Sequence, residues 1–61
     1  MSIATGLADF ARGFEAQQDG RADLAISAYR SAVSADPRLA AAHFNLGQLL
    51  RERGDVAGAA L

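Results

Sequence analysis

Three interruptions in an otherwise helical pattern constrain this chain most: Asp19-Gly20, Asp36-Pro37 and Gly54-Asp55. Between them, apolar residues recur at steps of three and four, the spacing of one helix face. Ile3, Leu7, Phe10 and Phe14 form a first stripe. Ala22, Ala25, Tyr29, Ala32 and Ala35 form a second, flanked by Ile26 and Val33. Leu39, His43, Leu46 and Leu50 form a third, with Leu49 beside it. No stretch alternates with a period of two, so no strand is predicted. Each break has a physical cause. Gly20 suits the left-handed position that ends a helix. Asp36 precedes proline and is pushed out of the α region, and Pro37 can sit near the start of the next helix at no cost in hydrogen bonds. Gly54 ends a third helix, and Asp55 can cap a fourth. The spacing predicts helices over 3–18, 22–35, 39–52 and 56–61.

Loops this short force neighbouring helices to run antiparallel, so the predicted class is all-α, a stack of helix-turn-helix hairpins. Of the 61 residues, 31 are apolar, but 15 of those are alanine and only 16 are large. That supplies one small core and rules out two. Cysteine is absent, which removes disulfides, zinc thiolates and thiol nucleophiles together. All six basic residues are arginine, which excludes a P-loop lysine or a Schiff base. Arginine and alanine in this proportion fit a GC-rich bacterial coding sequence. The net charge of −1 provides no field toward nucleic acid. The first ten residues lack the basic and apolar regions of a secretory signal, and no apolar run is long enough to span a membrane. A cytoplasmic location is the expectation.

The chain also resembles itself at an offset of 34 residues. Ala8 meets Ala42, Phe10 meets Phe44, Gly13 meets Gly47, Gly20 meets Gly54 and Ala25 meets Ala59. A helix-turn-helix period of 34 is that of the tetratricopeptide repeat. The run from Gly20 to Pro37 resembles the second helix of that family through Gly20, Ala25, Tyr29, Ala32 and Asp36-Pro37. The run from Ala42 to Ala59 resembles the first helix and turn of a following repeat, through Asn45-Leu46-Gly47 and Gly54-Asp55. The resemblance covers 6–61 and divides the chain into a leader at 1–5, one repeat at 6–39 and a shortened second repeat at 40–61. It implies an α-solenoid with right-handed superhelical stacking. Physical spacing agrees: Gly47 is expected to let two helices approach closely. Ala25 and Ala32 make room for the Tyr29 ring, whose hydroxyl can reach a polar partner.

The chain departs from the family at several places. Asp9 and His43 stand where a large residue is usual, Arg12 where leucine is, and Ala16 where an aromatic is. The first helix therefore reads as a terminal unit facing solvent. Ala42-His43-Phe44-Asn45-Leu46-Gly47 with Arg51-Glu52-Arg53-Gly54 also resembles the repeats in front of O-linked N-acetylglucosamine transferases and related bacterial glycosyltransferases. In the tetratricopeptide family the first helix of each repeat lines a concave face. The resemblance places Phe10, Phe14, Phe44, Asn45 and Gln48 on or near that face. Asn45 would hydrogen-bond a bound peptide backbone and the phenylalanines would form an apolar floor. The competing reading is that these residues only pack the helices together.

Little else carries chemistry. His43 is the only histidine, and it reads as a helix-face residue filling a core position, since no partner for acid–base work accompanies it. Ser27, Ser31 and Ser34 share one helix face and read as a solvated surface, without a nucleophile elbow. Gly54 and Gly58 have the spacing of a membrane-helix dimer but not its apolar setting. Arg51-Glu52-Arg53 reads as a solvated helix end. No catalytic, metal or cofactor residue is nominated. The function expected is a protein-interaction module, non-enzymatic, with a protein or peptide partner. Two alternatives stay open: a non-catalytic segment of a glycosyltransferase or other enzyme, and an element that assembles with itself. Repeats of this type stack in threes or more for stability. The chain is accordingly expected to be the N-terminal part of a longer repeat protein, or to self-associate.

Overall fold

A computed structural model describes residues 3–54, with side chains from Thr5 onward. Three helices account for nearly all of it: α1 (Ile3–Gln18), α2 (Ala22–Ala35) and α3 (Ala40–Glu52). No strand occurs among the described residues. The first two helices match their predicted bounds, and α3 starts one residue later than expected. The predicted fourth helix over 56–61 and its Asp55 cap lie outside the described residues.

The breaks act through backbone geometry. Gly20 has φ of 77°. Its N–H donates to the Gln17 carbonyl at 3.1 Å, while Arg21 N–H donates to the Ala16 carbonyl at 2.9 Å. These are the paired bonds of a Schellman ending, in which a residue with positive φ lets the chain fold back over the last turn. Gly54, with φ of 89°, gives the corresponding bond to the Arg51 carbonyl at 3.1 Å. The middle break works differently. Asp36 is extended, at φ −142° and ψ 92°, as the Pro37 ring demands. Its carboxylate accepts a bond from Arg38 N–H at 3.2 Å, and its carbonyl accepts one from Leu39 N–H at 3.0 Å. Pro37 sits in this turn, ahead of α3 rather than inside its first turn.

Helix α2 lies between the other two. Gly6 of α1 approaches Ala32 and Asp36 near the end of α2, while Gln17 at the other end of α1 reaches Tyr29. Asn45 of α3 meets Tyr29, and Arg53 pairs with Asp23 at 3.2 Å. Residue numbers fall on one helix as they rise on its neighbour, so both pairs are antiparallel. The core is Ala25, Ile26, Tyr29 and Leu49, with Phe10, Ala16, Leu46 and Leu50 packed around it. Ala25, Tyr29 and Ala32 of the α2 stripe are buried as its spacing predicts, and Ala22 and Ala35 at its ends are half-buried.

The faces of α1 and α3 differ from the predicted stripes. On α1, Leu7 and Phe14 are half exposed, and the residues turned inward are Gly6, Asp9, Phe10 and Gly13. On α3, His43 is exposed and Ala42 and Leu49 are the buried pair. On α1 the cause is close approach: α2 comes near enough at Gly6 and Gly13 that these small residues, which a hydrophobic stripe leaves uncounted, turn inward.

Close approach occurs at Gly13 instead of Gly47. A Cβ on Gly13 would lie 2.6 Å from two ring atoms of Tyr29. A Cβ on Gly47 would meet nothing within 4 Å. No described helix lies against the face of α3 that carries Gly47, and the fourth helix predicted after it lies outside the described residues.

Candidate interaction surface

Tyr29 organises the centre of the molecule. Its ring is fully buried, over Gly13 and beside Phe10, with ring centroids 5.5 Å apart and tilted by 39°. Its hydroxyl donates to Gln17 Oε1 at 2.7 Å and accepts from Asn45 Nδ2 at 3.3 Å. One phenol thereby joins side chains from all three helices. The expectation that the hydroxyl finds a polar partner is met twice over.

This geometry locates the residues singled out in the sequence. Phe10 is half-buried and belongs to the Tyr29 contact. Phe14 is 49% exposed and Phe44 65% exposed. Asn45 and Gln48 are both half-buried. Asn45 gives one N–H to Tyr29, which orients the amide and leaves Oδ1 as a free-standing acceptor. Phe14 and Leu7 stand seven residues apart and so share a face of α1. Phe44, Asn45 and Gln48 occupy one arc of α3 by the same helical geometry.

The other polar groups are local. His43 Nε2 lies 2.9 Å from the Pro37 carbonyl, which can only accept, so this nitrogen carries the proton and ties α3 to the preceding turn. His43 is therefore exposed and bonded to backbone, not part of the core. Asp9 is buried at 8% and accepts from the Arg12 guanidinium one turn later. Ser27, Ser31 and Ser34 are exposed, as their reading predicts. Arg51, Glu52 and Arg53 are exposed as well. No group of three metal-ligating side chains converges among the described residues. No helix there is long and apolar enough to cross a membrane.

Sequence reasoning missed a second concavity. An open groove of about 380 Å³ runs between α1 and α2, lined by Arg12, Glu15 and Asp19 on one side and Arg21, Leu24 and Ser27 on the other. Its two arginines and two carboxylates balance, so it favours neither an anion nor a cation. Leu24, at 55% exposed, was legible only as a helix residue outside the α2 stripe.

No family model, curated protein or solved structure matches the chain.

Proposed function

We propose that this chain is a protein-interaction module of the tetratricopeptide type, in which α1 and α2 form one repeat and α3 opens the next. Its first and third helices present a shared surface to a peptide or a partner helix. The observation that carries this reading is the exposure of Leu7, Phe14 and Phe44, at 52%, 49% and 65% in solvent on α1 and α3. Exposed aromatic surface beside oriented amides suits a protein partner: rings supply contact area and amides pair with backbone. Asn45, held by Tyr29, is the oriented amide, and Gln48 lies three residues on along the same arc of α3. Phe14, Phe44, Asn45 and Gln48 carry no charge, so the surface favours a neutral or apolar segment over an acidic one.

The test is selection of binders from a random peptide library on the immobilised chain, followed by comparison with Phe44→Ala/Gln48→Ala. The expected outcome is aromatic-rich, uncharged binders that lose roughly tenfold or more in affinity for the variant, about 1.4 kcal/mol. Its melt should shift by only a few degrees, since Phe44 is exposed and Gln48 is not in the core. Equal loss of stability and binding would favour the packing reading of these residues.

A further inference from the structure

The single proton of the Tyr29 hydroxyl sets the polarity of two amides. Gln17 of α1 and Asn45 of α3 meet at that oxygen, at 2.7 and 3.3 Å. A phenol donates once and otherwise accepts. Donating to Gln17 Oε1, it takes its second bond from Asn45 Nδ2. The ends of the two amides turned away from the phenol are then opposite in kind: Gln17 Nε2 is a donor and Asn45 Oδ1 an acceptor. Turning both amides over exchanges these roles but keeps them opposite, so the pairing of one donor with one acceptor belongs to the phenol itself.

Both outward ends reach solvent. Among the described residues neither amide has a second partner, and no polar side-chain atom is buried without one. Asn45 lies about 200° around α3 from Gly47, so the pair is on the other side of that helix from the glycine. A donor beside an acceptor selects a group that offers its own acceptor and donor along one edge. A primary carboxamide does so, with its carbonyl and one N–H pointing the same way. A trans peptide group does not, because its N–H and carbonyl point to opposite sides. A carboxylate sets one of its two acceptor oxygens against Asn45 Oδ1, and an apolar side chain leaves both ends unpaired.

We propose that Gln17 and Asn45, joined through the Tyr29 hydroxyl, form a two-point seat for a primary carboxamide, so that the partner segment is selected by an asparagine or glutamine side chain. The proposal rests on the interaction-module reading and names the group recognised. It adds Gln17, from the first helix, to the residues that meet the partner. Phe14, three residues before Gln17, borders the seat on α1, and Gln48, three after Asn45, borders it on α3.

The probe is the neutral peptide acetyl-Phe-Ala-Gln-Ala-Phe N-methylamide, whose only primary carboxamide is the central side chain. It is titrated into the isotopically labelled full chain and compared with peptides carrying Glu, Met or side-chain N-methylated Gln at the centre. The methyl group of the last occupies the edge that the seat requires. Asn45 is the only asparagine of the chain, so its side-chain amide is followed directly by chemical shift. The Gln peptide should move the side-chain amide signals of Asn45 and Gln17 and bind roughly fivefold or more tightly than the other three. Tyr29→Phe keeps the ring and releases both amides, and it should erase that preference while leaving the weaker binding common to all four peptides. Gln17→Met keeps the side chain's shape without its donor and should do the same. Equal binding of the four peptides overturns the proposal, as do unmoved side-chain amide signals. A preference that survives Gln17→Met also overturns it, and assigns the contact to Asn45 alone. If the four peptides bind alike and shift Phe14, the interaction-module reading stands while this one fails; binding by none removes this one and counts against both.

Discussion

Tyr29 and the two mid-helix glycines show how one residue type can have opposite consequences. Gly13 is required by sterics, since its missing Cβ is the space the Tyr29 ring occupies. Gly47 meets no such constraint among the described residues, and glycine in an exposed helix interior costs about 0.8–1 kcal/mol relative to alanine. Gly47→Ala should therefore stabilise the chain by up to that amount. Gly13→Ala gains the same propensity but forces a Cβ into a fully buried ring, an overpacking penalty of about 1–3 kcal/mol. Its net effect should be destabilising, by up to about 2 kcal/mol. In thermal melts 1 kcal/mol corresponds to about 4–8 °C for a chain this small, so the two variants should move in opposite directions and separate clearly. The phenol itself can be divided. Tyr29→Phe keeps the ring and removes bonds to Gln17 and Asn45, a loss of about 0.5–1.5 kcal/mol for each bond net. Both amides can turn to water, which places the expected cost at the lower end.

Among the elements, the endings were more legible than the faces. Gly20, Pro37 and Gly54 announce their turns because each restricts or frees a backbone torsion locally, with no need of tertiary context. The left-handed φ of 77° at Gly20 gives this a measurable form. Gly20→Ala should destabilise by about 1 kcal/mol, and Gly20→Asn by less, since asparagine tolerates that region better. Chemical denaturation checks both, with an unchanged slope expected if the fold is intact. Which face a helix buries depends instead on its neighbours. A stripe of Ile3, Leu7, Phe10 and Phe14 predicts the inner side of α1 from side-chain size. The structure turns Gly6, Asp9 and Gly13 inward, because α2 comes close enough there to exclude larger residues. The candidate surface divides the same way. Phe14 and Phe44 are exposed, but the bond that orients Asn45 joins residues 16 positions apart, and no local pattern contains it. The offset of 34 does contain the equivalence of Phe10–Gly13 with Phe44–Gly47.

At the scale of the whole molecule, the three helices are not held equally. Between α1 and α2 lie the Tyr29 ring, Phe10, and close backbone approach at both Gly6 and Gly13. Helix α3 is fastened by fewer deep contacts: Leu49 and Ala42 are its buried residues, Leu46 and Leu50 pack partly, and Asn45 adds one long hydrogen bond. Its exposed ion pair, Arg53 with Asp23 at 3.2 Å, contributes at most about 1 kcal/mol. Proteins open in units whose free energies follow local burial. Native-state hydrogen exchange should therefore show α3 amides exchanging through a smaller opening than those of α2 around Ala25–Ala32, with α1 following α2. Leu49→Ala sharpens the comparison. Removing that buried side chain costs about 2–5 kcal/mol, enough to free α3 in so small a protein. If α3 is a separate unit, the variant loses protection in 40–52 and keeps most of it in 3–35. Equal loss in all three helices would instead mean that the Gln17–Tyr29–Asn45 connection binds the molecule into one cooperative unit.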